Sequence, residues 1–213
     1  MKSLKILSLA TVAMALALAL IGASSASATA LCSANEEECA APLGQGTVIE
    51  AHLKTGTKAT LLTELATVLC NKSTTSGKTT SGPGVSVTGV IETLSFSECK
   101  TEEGVNCTVG TALSLPYNGS ITATPGGNGK LVVTKGTGGG NPGATVTCLG
   151  VIECTFRTSS ASLNVLGGNP AIAKAEKVEL PERSGLLCPS KEAKWDAEYE
   201  VLKPNPLWIS EAP

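Results

Sequence analysis

Alternation of apolar and polar positions is the dominant signal along this chain. Over 47–54, Ile49, Ala51 and Leu53 alternate with Glu50, His52 and Lys54, which gives an extended strand one dry and one wet face. The clearest period-2 stretch comes near the other end. There Trp195, Ala197, Tyr199 and Val201 alternate with Lys194, Asp196, Glu198 and Glu200. Between the two, Thr- and Val-rich runs predict strands near 66–70, 85–97, 107–115, 119–124, 130–135, 144–148, 152–157, 162–166 and 171–180. Turn formers punctuate them: Ser81-Gly82-Pro83-Gly84, Pro125-Gly126-Gly127-Asn128-Gly129, the 138–143 run and Gly167-Gly168-Asn169-Pro170.

Two segments read less simply. In 61–69, Leu61, Leu62, Leu65, Val68 and Leu69 fit a helical stripe, but Thr60, Thr63, Thr67 and the β-rich setting favour strands. Residues 73–84 read as a polar loop. A faint echo links 66–70 with 144–148 and 89–92 with 150–153, at unequal spacings. Crossover helices for a parallel sheet are missing. The expected fold is therefore all-β: an antiparallel β-sandwich, or a partly closed barrel, of about ten strands. No linker divides it, so 29–213 is expected to be a single domain.

The N-terminus changes the picture of where the chain resides. Met1-Lys2-Ser3-Leu4-Lys5 is a short basic start, an uncharged apolar run follows over 6–21, and Ala26-Ser27-Ala28 offers a small-x-small site. These are the parts of a secretory signal peptide, 1–28. An uncleaved anchor is the competing reading, but no charged stop-transfer flank follows the run. Leu31 before Cys32 sets a lipoprotein aside. No later run is long enough to cross a bilayer, so no membrane span is expected after cleavage.

All eight cysteines lie beyond that site: Cys32, Cys39, Cys70, Cys99, Cys107, Cys148, Cys154 and Cys188. An even count in an exported chain predicts four disulfides and a disulfide-braced domain. Spacing proposes Cys32 with Cys39, Cys99 with Cys107 and Cys148 with Cys154, leaving Cys70 for Cys188. The third of these requires the chain to turn between its two cysteines; otherwise both have other partners. Zinc is disfavoured, because C-x-x-C pairs and His partners are missing.

Composition narrows the chemistry. Of 213 residues, only 3% are aromatic and 16% charged, and the net charge is −2. Without Lys2 and Lys5 it is −4, so nothing draws the chain to nucleic acid or anionic lipid. His52 and Asp196 are the single residues of their types. A Ser-His-Asp triad would have to use both, and each falls on a wet strand face. Ser76-Gly77-Lys78-Thr79 lacks the first glycine of a P-loop. Gly138, Gly140 and Gly143 precede a strand rather than the helix a dinucleotide needs. Ser97-Glu98-Cys99-Lys100 and Lys54-Thr55-Gly56 occur in the wrong order for a serine β-lactamase. Glu36-Glu37-Glu38 reads as a solvated run rather than a calcium site. Asn71, Asn106 and Asn118 are glycosylation acceptors only in a host with that pathway. Tyr117 and Trp208 are the aromatics left for surface contact, packing or a terminal clip. No catalytic, cofactor-binding or metal-ligating residue is assigned, and no cofactor is expected.

The stretch from Cys188 through Trp195, Tyr199 and Val201 to Pro204, Pro206, Leu207 and Trp208, with Gly77-Lys78-Thr79-Thr80 and Leu94-Ser95-Phe96-Ser97-Glu98-Cys99, resembles a group of uncharacterised secreted, cysteine-containing β-rich proteins of high-GC Gram-positive bacteria. The resemblance implies export and a β-rich fold and carries no activity. The expected function is a non-enzymatic secreted or cell-envelope β-domain for binding, adhesion or surface structure, with an extracellular or cell-envelope ligand. One alternative is an extracellular hydrolase using a Glu pair. Another is a secreted inhibitor or effector presenting the 99–107 loop.

Overall fold

A computed structural model describes residues 28–189 and 192–212. Apart from Ala28, the expected signal segment lies outside the described residues. Among the described residues there is no helix. The first strands in chain order are β1 (Ala28–Cys32), β2 (Val48–Leu53), β3 (Ala59–Leu62), β4 (Thr67–Thr79), β5 (Val87–Thr101), β6 (Asn106–Val109), β7 (Tyr117–Thr124) and β8 (Asn128–Thr134). They continue with β9 (Gly143–Cys148), β10 (Ile152–Arg157), β11 (Ser160–Leu166), β12 (Ile172–Leu180), β13 (Glu182–Ser184), β14 (Ala193–Lys203) and β15 (Trp208–Ala212).

Eight strands close on themselves in the order β2, β4, β5, β7, β8, β11, β12 and β14, with β14 pairing back to β2. Every neighbouring pair is antiparallel. The all-β, antiparallel, disulfide-braced architecture is as expected, and the barrel is closed rather than partly closed. Closure removes the unpaired edges that a sandwich keeps. β3 carries on the line of β2 after an interruption at 54–58: β2 faces residues 74–78 of β4, and β3 faces residues 67–70 of the same strand.

β5 belongs to two parts of the wall. Residues 87–91 pair with β7, whereas Cys99 and Lys100 pair with β6. From β6 the sheet runs on through β9 and β10 to β13. These four strands stand above the short strands β7, β8 and β11 and prolong the wall towards the end that carries the β3–β4 turn, here the upper end. The lower end is closed by the chain termini. There β1 and β15 pair, Thr29 N donates to Gly84 O at 2.6 Å, and Ile209 N donates to Gly127 O at 3.0 Å. Leu31, Leu207 and Ile209 are buried beneath this cap. Trp208 packs against the buried Cys32 and Cys39, so it belongs to the terminal clip.

The bridges differ from the spacing rule except at Cys32–Cys39. The others are Cys70–Cys99, Cys107–Cys148 and Cys154–Cys188, which corrects the expected Cys99–Cys107, Cys148–Cys154 and Cys70–Cys188. Register explains the change. Cys70, Cys99, Cys107 and Cys148 stand opposite one another in a single row across β4, β5, β6 and β9. Within that row each cysteine of the tight 99–107 hairpin bonds outward, to the strand on its far side. Cys148 and Cys154 do flank a turn, but they lie two rungs apart, opposite Ile152 and Val146. Cys188 lies beside β10, on the far side of this sheet from Cys70. Residues 73–79, expected in a loop, are the second half of β4. The segment 61–69 is strand, turn and strand, as favoured.

Candidate functional site

The barrel wall has a wet outside and a dry inside. On the outside, His52 Nε2 lies 3.2 Å from Glu200 Oε2, Lys54 Nζ 3.1 Å from Glu198 Oε2, and Lys203 Nζ 3.2 Å from Glu50 Oε1. On the neighbouring strands hydroxyls take over: Thr74 with Ser95 at 2.8 Å and Ser76 with Thr93 at 2.7 Å. Such exposed pairs each add little stability, but they fix which face meets water. This is the reverse of a membrane-spanning barrel, whose outward band is apolar.

The inward positions are apolar and often small. β14 turns Trp195, Ala197, Tyr199 and Val201 inward, as its alternation predicts. β12 adds Ala173 and Ala175, and β2 adds Ala51 and Leu53. On β5 the inward set is Val87, Gly89 and Ile91, then Leu94 and Phe96, because a register shift opposite Ser76/Gly77 inserts one residue. A ring of eight strands in which several inward positions are only Ala or Gly, as at Ala51, Gly77, Gly89 and Ala173, leaves unfilled volume between the larger side chains. The result is an apolar cavity of about 300 Å³ running through the barrel. Phe96, Trp195 and Tyr199 line it as an aromatic group, with Phe96 and Trp195 edge to face at 6.5 Å. Its wall carries no carboxylate, and its single charged residue, Lys78, pairs with Glu92 on the outside at 2.8 Å.

Among the described residues, two buried side-chain polar atoms have no partner, Ser210 Oγ in the terminal cap and Trp195 Nε1 in the barrel. Tyr199 OH donates to Ser73 Oγ at 2.8 Å, and Ser73 Oγ donates to Ser95 O at 2.8 Å. Burial pushes the Tyr199 phenol up to about 12. Tyr117 OH donates to Leu113 O at 2.6 Å, and burial also raises its titration. The Tyr199 shift has a consequence for alkaline stability. The folded state holds the neutral phenol while the unfolded chain releases the proton from about pH 10. Stability is therefore intact below pH 10 and falls by about 1.4 kcal/mol per pH unit up to pH 12. Tyr199→Phe is expected to remove that share of the slope in urea titrations between pH 9 and 12. An unchanged slope would assign the loss to other groups.

The residues singled out from sequence do not assemble into catalytic machinery. His52 stands opposite Glu200 and Thr74 on the outer wall. Asp196 lies farther along β14, opposite Thr60, where its Oδ1 accepts Lys177 N at 2.8 Å. Cys99 is disulfide-bonded, and the Glu98 carboxylate pairs with Lys72. Gly143 opens strand β9, not a helix. Ser76-Gly77-Lys78-Thr79 lies within β4 rather than in a loop. Glu36 accepts Ala40 N on the surface. Tyr117 is buried, so it offers no surface contact. Among the described residues no three His, Cys, Asp or Glu side chains gather as a metal requires. The 99–107 turn is not closed by a bridge of its own: Cys99 bonds to Cys70 and Cys107 to Cys148.

A polar groove on the outer wall is lined by three carboxylates, Glu176, Asp196 and Glu198, interleaved with Lys58, Lys174 and Lys177. Hydrogen bonding from Lys54, then from Lys174, holds the Glu198 carboxyl below its ordinary range. A general acid needs the opposite shift. The cavity was missed from sequence because alternation marks an inward face without saying how wide the space behind it is. The signal present was the run of small residues at inward positions. Compared with known proteins, the chain matches no family model, no curated protein and no solved structure.

Proposed function

We propose that this chain is a non-enzymatic secreted or cell-envelope binding protein that holds one uncharged, apolar small molecule inside its barrel. The observation that carries this reading is the 300 Å³ apolar cavity without carboxylates, within a wall whose ion pairs Lys54–Glu198, Lys78–Glu92 and Lys203–Glu50 lie on the outside. Ligand pockets begin at about this size, and eight-stranded barrels are just wide enough to hold one small ligand. Unfilled apolar volume costs roughly 24 cal/mol per Å³, so a space of this size is worth about 7 kcal/mol. That is the scale of a whole domain's stability. An apolar occupant recovers part of it, and a charged one would lose its hydration without finding a partner. The signal-like N-terminus and four disulfides support residence on the oxidising side of a membrane.

The test uses N-phenyl-1-naphthylamine, an uncharged apolar fluorophore. It is expected to bind saturably at one per chain and to raise the melting temperature. Ala173 faces this space from β12 and is only partly buried. Ala173→Leu is therefore expected to stabilise the protein by about 2 kcal/mol, by burying three further carbons, and to weaken the probe about tenfold by occupying its room. If Ala173→Leu destabilises the fold and leaves probe binding unchanged, the interior is already filled and the ligand reading fails.

A further inference from the structure

At the upper end of the barrel two adjacent turns present large apolar side chains to water. Leu149 and Val151, in the β9–β10 turn, are 65% and 79% exposed, and Leu186 and Leu187, after β13, are 84% and 69% exposed. The two turns are neighbours because β10 pairs with both β9 and β13. The Cys154–Cys188 bridge then pins the second segment against the start of β10.

The backbone makes these leucines more telling than ordinary exposed ones. Leu149 and Gly150, the central residues of the 148–151 turn, have φ of 56° and 69°, and Val151 N donates to Cys148 O at 3.2 Å. For two successive left-handed residues in a hairpin turn the favoured pair is Asn-Gly. A leucine there is strained and exposed at once. Leu187, with φ of 65°, repeats the combination. Folding alone favours neither side chain.

We propose that these two turns dock the barrel on the uncharged surface of a lipid bilayer, inserting Leu149, Val151, Leu186 and Leu187 among the headgroups. Four side chains on two protruding turns, 65–84% exposed, make a patch smaller than the roughly 800 Å² per partner that a stable dimer needs, and they suit the boundary region of a membrane. The rim fixes the kind of membrane. Leu149 N donates to Asn106 O, beside a turn whose exposed charges are Lys100, opposite Asn106, with Glu102 and Glu103, so that the rim is net acidic. An anionic headgroup would meet like charge there. In purpose, the docking rests on the ligand reading above: an apolar molecule scarcely dissolves in water, and a bilayer is where a barrel would collect or deliver it.

The test is flotation of the processed chain, its mass confirmed, with phosphatidylcholine vesicles, in parallel with phosphatidylglycerol vesicles. The double variant Leu149→Asn/Leu187→Asn places a favoured residue at both left-handed positions, so its melting temperature is expected to stay level or rise. Phosphatidylcholine binding is expected to fall about tenfold for each leucine removed, about a hundredfold together. Any of four results would overturn the proposal: no flotation of the natural chain at millimolar phosphatidylcholine, equal flotation of the variant, preference for phosphatidylglycerol, or a dimer in sedimentation that the variant abolishes. Uptake of N-phenyl-1-naphthylamine without vesicles is read on both proteins and is expected to be equal. If neither takes up the probe, the ligand reading fails while docking is still decided by flotation.

Discussion

Replacing Cys107 and Cys148 together by alanine is expected to lower stability by about 4 kcal/mol and the melting temperature by about 8–16 °C. This bridge closes the longest loop of the four, with a sequence separation of 41. Its loss frees the most chain entropy in the unfolded state. It also holds a weak seam. β6 meets β5 through only Cys99 and Lys100, and the strand order joins β6–β9–β10–β13 to the barrel at that contact, with the Leu113–Gly143 bridge as a further tie. Limited proteolysis should therefore cut 106–157 first in the variant, before the barrel strands. The Cys32→Ala/Cys39→Ala pair closes a separation of only 7 and is expected to cost about 2 kcal/mol. Equal costs for the two pairs would mean that strain or residual structure, rather than loop closure, sets the contribution of these bridges.

Much of the strand pattern was legible because water lies on one side of the wall. β10 occupies 152–157 as read from sequence, and β14 follows its alternation from Trp195 to Val201. The second half of β4 was illegible for a physical reason. Its inward residues are Ser73, Thr75, Gly77 and Thr79, so no apolar alternation exists to read. Ser73 and Thr79 are buried there because backbone carbonyls, Ser95 O and Gly44 O, accept their hydroxyls. β1, β13 and β15 are short, and distant chain sets their pairing rather than local propensity. Closure is non-local as well: β14 meets β2 from the opposite end of the sequence, and alternation is the same in a sandwich and in a barrel. Cysteine spacing failed because distant strand pairing puts four cysteines in one row, so that Cys99 stands opposite both Cys70 and Cys107, and sequence distance does not show the more distant candidate. Cys70 and Cys99 are directly opposed, although the hairpin partner Cys107 is closer in sequence. The cavity was readable only as a hint, in Ala51, Ala173, Ala175 and Ala197 at inward positions.

Gly77→Ala is expected to cost about 3 kcal/mol or more and to abolish uptake of the apolar probe. A β-carbon at Gly77 would lie 2.0 Å from Val90 O and 3.1 Å from Ile91 Cα, well inside contact distance. Those are main-chain atoms of β5, paired to β4 on either side of the point, so no side chain can swing away to make room. The register shift between Ser76 and Gly77 sits at the same place. Bulges and glycines let a strand bend tightly enough to close a ring. Gly89, on the facing strand, is similarly constrained, with a β-carbon 2.9 Å from Lys78 O. Pushing β4 and β5 apart here opens the wall beside the cavity, so stability and ligand retention fall together. Gly44→Ala is the matched control: nothing lies within 4 Å of its β-carbon, and its backbone is not left-handed. Its melting temperature and probe binding should stay at the natural values. If Gly77→Ala melts within a degree of Gly44→Ala, the barrel tolerates a wider approach of β4 and β5 than its closure requires, and the enclosed volume is then not set by this contact.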